Sequence, residues 1–145
     1  VKMSIEVSDK SARITIDITD NSGIAKEEML SAALRALEIC GFTADEYAKL
    51  LCPSDEGNLR NSIAHQVQPT ELAAYIGTNS EYGAYVELGT GKYYPGGRKT
   101  PWVYQDAKGR WHLTHGQRAQ PYLKPAVADH VGQYKEIMEV EMKRG

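Results

Sequence analysis

One apolar stripe constrains this chain more than any other feature. Leu30, Leu34, Leu37, Gly41, Ala44, Ala48 and Leu51 recur alternately four and three residues apart. That spacing keeps them on one face of a 3.6-residue helix. Pro53 then stops the pattern. The spacing predicts a helix over 24–52, about 40 Å long. Such a rod has to bury its stripe against a partner surface or pair as a coiled coil. The small residues Gly41, Ala44 and Ala48 and the shortness of the run favour a core helix lying on a sheet. Gly41 either admits a close neighbour or breaks the helix in two.

The sheet is legible on both sides of that helix. Met3, Ile5 and Val7 alternate with polar residues, and so do Ala12, Ile14, Ile16 and Ile18. Period-two alternation rich in β-branched residues predicts a hairpin over 3–19, turning at Asp9-Lys10-Ser11. Asp20-Asn21-Ser22-Gly23 supplies a turn and cap candidates before the helix. A turn at Ser54–Asn58 leads into two expected strands over 58–78, Leu59–Val67 and Leu72–Thr78, joined near Pro69. One or two helical turns are expected over Ser80–Leu88. Trp102–Tyr104 and Arg110–Leu113 flank a hairpin turn at Asp106-Ala107-Lys108-Gly109. Pro121 and Pro125 suit the opening of a last helix over 121–143, with Leu123, Ala126, Val127, Val131, Tyr134, Ile137, Met138 and Met142 as its apolar positions. The order predicts one α+β domain over 1–145: a mostly antiparallel sheet packed by a long helix and a C-terminal helix, with a long Gly/aromatic-rich loop.

Composition narrows the partners. The 145 residues suffice for one domain with a real core. A net charge of −2 and a pI near 6.1 give no overall basic excess to neutralise a nucleic-acid backbone. No apolar run approaches the roughly 20 residues that span a bilayer. The opening VKMSIEVSD lacks the apolar core of a signal peptide. Cys40 and Cys52 are twelve positions apart, about 18 Å along a straight helix, so they are expected as reduced thiols of an intracellular protein.

The segment 82–125 is dense in glycine, proline and aromatic residues and has no long apolar run. It suits a loop-rich surface better than a core. Gly89-Thr90-Gly91-Lys92 falls short of a phosphate-binding loop, because Val86 stands at the first glycine's place and Tyr93 follows the lysine. His112 and His115, with Asp106 nearby, are too few for a metal site of known spacing. His65 and His130 are isolated and expected on polar faces. Asp45, Glu46, Asp55, Glu56, Glu81 and Glu87 select no hydrolytic pair, and no nucleophile motif accompanies them. No enzyme, cofactor or metal is expected. The aromatic cluster Tyr93, Tyr94, Trp102, Tyr104, Trp111 and Tyr122 either covers a local core or forms an interface, with base stacking as a third role. Arg98, Arg110 and Arg118 are interleaved with it, and Tyr, Trp and Arg dominate protein–protein hot spots. The candidate interface residues are therefore Tyr93, Tyr94, Arg98, Trp102, Tyr104, Arg110, Trp111 and Arg118.

Three segments resemble motifs of one family. Cys52-Pro53-x-Asp55-x-Gly57-x-Leu59-Arg60-x-Ser62-Ile63 resembles its C/A-P-x-D-T-G-x-L-R-x-S-I segment. Tyr82-Gly83-Ala84-Tyr85-Val86-Glu87-Leu88-Gly89-Thr90-Gly91 resembles Y-A-x-Y-V-E-F-G-T. Gln120-Pro121-Tyr122-Leu123-Lys124-Pro125-Ala126 resembles Q-P-F-L-x-P-A. The three motifs resembled are those of a tail-component family of tailed phages, typified by the gene-ten product of the lambda-like phage HK-ninety-seven. They occur here in family order, across roughly residues 24–143. Glu56 replaces the usual Thr, Leu88 the usual Phe and Tyr122 the usual Phe; the N-terminal hairpin is least covered.

The resemblance implies a non-enzymatic structural protein of the siphophage neck or tail, assembled in the bacterial cytoplasm and resident in the virion. Its implied partners are copies of itself in a ring and other neck and tail proteins. DNA would pass through without specific binding, and a mildly acidic channel would let it slide. Rings form through heterologous contacts, and residues 89–120 are expected to be mobile in the monomer and to order on a neighbour or on the tail tube. The alternative from the residues is a prophage-derived DNA-binding module.

Overall fold

A computed structural model describes residues 2–8, 11–18, 26–53, 57–80, 82–94, 96–105 and 108–144. The turns expected at Asp9-Lys10, Asp20–Gly23, Ser54–Glu56 and Asp106-Ala107 lie outside the described residues, as do the helix start at Ile24 and Ala25 and the expected carboxylate candidates Asp55 and Glu81. The fold is α+β. Strands β1 (Lys2–Val7), β2 (Ser11–Asp17), β3 (Ala64–Gln68) and β4 (Ala73–Gly77) form an antiparallel sheet in the order β1-β2-β4-β3. Helix α1 (Lys26–Leu51) lies on this sheet. A second sheet holds only β5 (Trp102–Gln105) and β6 (Trp111–Thr114).

The alternation read in β2 decides which face is buried. Ala12, Ile14 and Ile16 point inward, and the register sets Ile14 beside Ile5 and Ala74, and Ala12 beside Ile76. Against them α1 presents Ala33, Ala36, Leu37, Cys40, Ala44 and Ala48, all fully buried. This stripe is rotated from the expected one. Leu30 and Leu34 are half-buried and Leu51 is exposed, while alanines take the centre. Small side chains let the helix axis approach the sheet, and the leucines fall to the flanks. Gly41 leaves α1 continuous and admits the neighbour: a Cβ there would sit 3.0 Å from His65 Cδ2.

Two expectations need correction. The strands expected over 58–78 begin late: Gly57–Ser62 is a helix, α2, and β3 starts only at Ala64. Leu59 and Ile63, both buried, are four apart, a helical spacing inside a run too short to decide by period. The C-terminal helix is two helices, α4 (Leu123–Ala128) and α5 (Val131–Arg144), separated by a turn at Asp129-His130. The break lets α4 touch β1, β2 and α1 while α5 runs along α1. Buried Tyr134 donates its hydroxyl to Ala126 O and so holds the two together. Cys40 and Cys52 are both free and buried, and burial pushes the Cys40 thiol up to about 12. Among the described residues no helix is long and apolar enough to cross a membrane.

The isolated polar setting expected for His65 is also overturned. Its ring bridges two acids of α1, with Nδ1 at 2.8 Å from Asp45 and Nε2 at 2.8 Å from Glu38. Asp45 is buried and meets Lys49 at 3.1 Å. His130 stacks on Tyr47, ring centroids 3.6 Å apart.

Candidate assembly interface

The segments that frame the aromatic region meet at one point. Helix α3 (Tyr82–Leu88) carries Glu87, which is 6% exposed. Its carboxylate accepts the backbone N–H groups of Tyr122 (2.7 Å), Leu123 (3.0 Å) and Lys124 (3.0 Å) at the start of α4. Unpaired donors at a helix start favour a carboxylate, and three such bonds satisfy both sides of a buried contact. Gln120 N donates to Val86 O at 2.8 Å, and the buried Tyr122 hydroxyl donates to Gly83 O at 3.1 Å. The third segment arrives from behind. Leu59 packs toward Gly83, Ser62 bonds Thr78, and Arg60 Nη2 donates to Cys52 O at 2.8 Å. A Cβ at Gly83 would overlap Thr78 Cγ2 and lie 2.8 Å from Tyr122 Oη. Glycine is required there by close approach, not by backbone angle.

From this junction the chain leaves as an arm. Its two strands of backbone are laced together at the root. Thr90 N donates to Gln117 O (2.9 Å), Lys92 N to His115 O (3.1 Å), and Gln117 N to Thr90 Oγ1 (2.9 Å). Gly91 and Gly116 both have positive φ and touch each other's backbone so closely that a Cβ on either would overlap the facing carbonyl. One turn of 3₁₀ helix (Gly91–Tyr93) follows, within the segment expected as a loop-rich surface.

The arm ends in the β5–β6 hairpin, near the expected bounds and without extensive packing against any other element. Pairing of Val103 with Leu113 and of Gln105 with Trp111 puts Val103, Leu113 and Trp111 on one face. They are 57%, 68% and 68% exposed. The opposite face carries Trp102, Tyr104 and His112.

The eight expected interface residues therefore divide. Tyr93 lies under Arg118 and Lys92, 5.5 and 5.1 Å from its centroid. The hydrogen bond from Arg118 holds its phenol below the ordinary range, and the charge of Lys92 adds to this. Arg98 sits 5.9 Å over Trp102, and Tyr104 stacks on His112 at 5.2 Å. Tyr94 O accepts from Lys99 Nζ. Arg110 precedes β6, and Trp111 stands apart on the other face. Tyr122 leaves the cluster altogether and belongs to the core. Val103 and Leu113 were missed by residue-type reasoning; strand alternation through the hairpin is the signal that finds them.

Among the described residues, no three His, Cys, Asp or Glu side chains gather where one metal ion would reach them. At the junction the Glu87 carboxylate is taken up by three backbone N–H groups. Comparisons with protein-family models, curated proteins and solved structures find no match.

Proposed function

We propose that this chain is a structural subunit of a siphophage neck or tail end, acting in tail completion or head–tail joining. It assembles as a ring, contacts other neck and tail proteins, and lets DNA pass without specific binding. It is made in the host cytoplasm, resides in the virion, and acts as a scaffold, not a catalyst. The observation that carries this reading is the meeting of the three family-like segments around Gly83, Glu87 and Tyr122. Residues so used fix where an exposed aromatic arm leaves a rigid body, which is what a heterologous assembly contact demands.

The test is the solution mass of the protein, alone and with the major tail protein of a siphophage, followed by electron microscopy of any oligomer. Closed rings, or incorporation at the end of tail tubes, are expected. A monomer that joins neither itself nor tail tubes refutes the proposal. Tight retention of duplex DNA on filters at physiological salt points instead to the DNA-binding module.

A further inference from the structure

The net charge of −2 conceals a partition. Residues 89–120 hold six of the 17 Lys and Arg but only one of the 19 Asp and Glu, so the arm carries +5 and the rest of the chain −7. The arm also presents the exposed apolar face Val103, Leu113 and Trp111. A complementary feature lies on the body. Between α1 and α5 runs an open groove of about 340 Å³ lined by Ile39, Gln133, Glu136, Ile137, Val140 and Glu141. Ile39 and Val140 are 40% and 50% exposed, so its floor is apolar; Glu136 borders it, and so does Glu141, whose carboxylate already meets Arg35 Nε at 3.3 Å. The volume lies at the small end of ligand pockets, roughly 300–1,000 Å³, room for one large side chain.

We propose that the arm of one copy seats Trp111 in the α1–α5 groove of the next copy, with Val103 and Leu113 against its rim. This rests on the ring reading above and names its contact. The occupant is a second copy because the cationic arm and the acidic remainder of the chain, with Glu136 at the groove, are parts of one molecule, which steers the arm toward the body of another copy and keeps arm from arm. Arm and groove are different surfaces, so the contact is heterologous and propagates into a ring if its rotation closes. An apolar anchor inside a charged rim is the usual composition of an interface centre. Nucleic acid would use the arm's cations but gains nothing from an aliphatic face on Val103 and Leu113.

The test uses two variants of the full chain. The arm variant is Trp111→Ser with Leu113→Ser; the groove variant is Ile39→Asp with Val140→Asp. All four positions are exposed, and circular dichroism verifies folding. Each variant alone is expected to lose self-association by about 30-fold or more, the effect of truncating a hot spot. Mixed together they form a one-to-one dimer, since each keeps the patch that the other lacks. A photo-crosslinker replacing Leu113 in otherwise wild-type protein is expected to label residues 133–141 of another copy. If the wild type forms rings while both variants assemble equally well, the arm–groove contact is wrong and the ring reading stands. A wild type that stays monomeric at every concentration, alone and with tail tubes, with no crosslink between copies, sinks both. Duplex DNA binding lost in the arm variant, with crosslinks to DNA in place of α5, also overturns the contact.

Discussion

Replacing Glu87 with Ala removes a carboxylate that holds three backbone donors at once. Two of those donors belong to fully buried residues, Tyr122 and Leu123, whereas Lys124 is exposed and its N–H regains water. A buried donor left without a partner costs about 1–3 kcal/mol, so two cost about 2–6, with about 4 as the central expectation. That is a large share of the roughly 5–15 kcal/mol that stabilises a typical domain. Glu87→Gln keeps an acceptor for Tyr122 and Leu123 but turns an amide toward Lys124 N, and is expected to lose about half as much. Urea denaturation followed by far-ultraviolet circular dichroism measures both. Hydrogen exchange localises the effect, since the amides of 120–124 should lose protection ahead of β2 and β4. A Glu87→Ala protein within 1 kcal/mol of wild type, with those amides still protected, refutes the claim that this carboxylate clasps α3 to α4.

Gly83→Ala forces a methyl onto Thr78 and Tyr122 and is expected to destabilise by about 1–3 kcal/mol, while Gly132→Ala in α5, with open space around it, should stabilise by up to about 1 kcal/mol; thermal melts of the pair decide, and equal effects would mean that the Gly83 contact is not tight. For His65, burial by itself lowers the imidazole pKa, but hydrogen bonds and charge from Asp45 and Glu38 together raise it above 6.5. A raised folded-state pKa gives stability that is complete below about pH 6.5 and is lost as pH climbs through the raised value. His65→Gln should flatten that part of the stability–pH curve, and an unchanged curve would assign the dependence elsewhere; Lys49, beside Asp45, is the other charge in the group.

The local elements were legible because each has its own period. The alternation of Ile14 and Ile16 marked β2, and Pro53 closed α1. What failed was decided at a distance. Leu59 and Ile63 fit strand or helix equally in so short a run, and Leu59 packs toward Gly83, a neighbour 24 residues away that no local pattern reveals. Leucines outweighed alanines in reading the α1 stripe, yet closeness to the sheet selected the alanines. Neither glycine nor proline marks the turn at Asp129-His130. Glu87 looked like one carboxylate among many, since nothing local reveals a partner 35 residues away. The candidate interface residues were chosen by residue type alone, and which of them share a face with Val103 and Leu113 required the register of β5 on β6.

The strand order β1-β2-β4-β3 also bears on how the chain reaches this state. β1 with β2, and β3 with β4, are hairpins closed over a few residues. The β2–β4 seam between them joins Thr15 to Ala73 and Ser11 to Gly77, across 58 to 66 residues that include all of α1. Closing a 58-residue loop costs about 3.6 kcal/mol by the logarithmic law, against about 1 for a tight hairpin. The two hairpins and α1 are therefore expected to form early, and the seam last, as α1 brings its alanine face onto both halves. Pulse-labelled amides of the seam should gain protection after those of the hairpins, and simultaneous protection would show that the sheet condenses as one unit. The central line of the sheet, lined by buried Ala12, Ile14, Ala74 and Ile76, is thus also where the rate of folding is expected to be set.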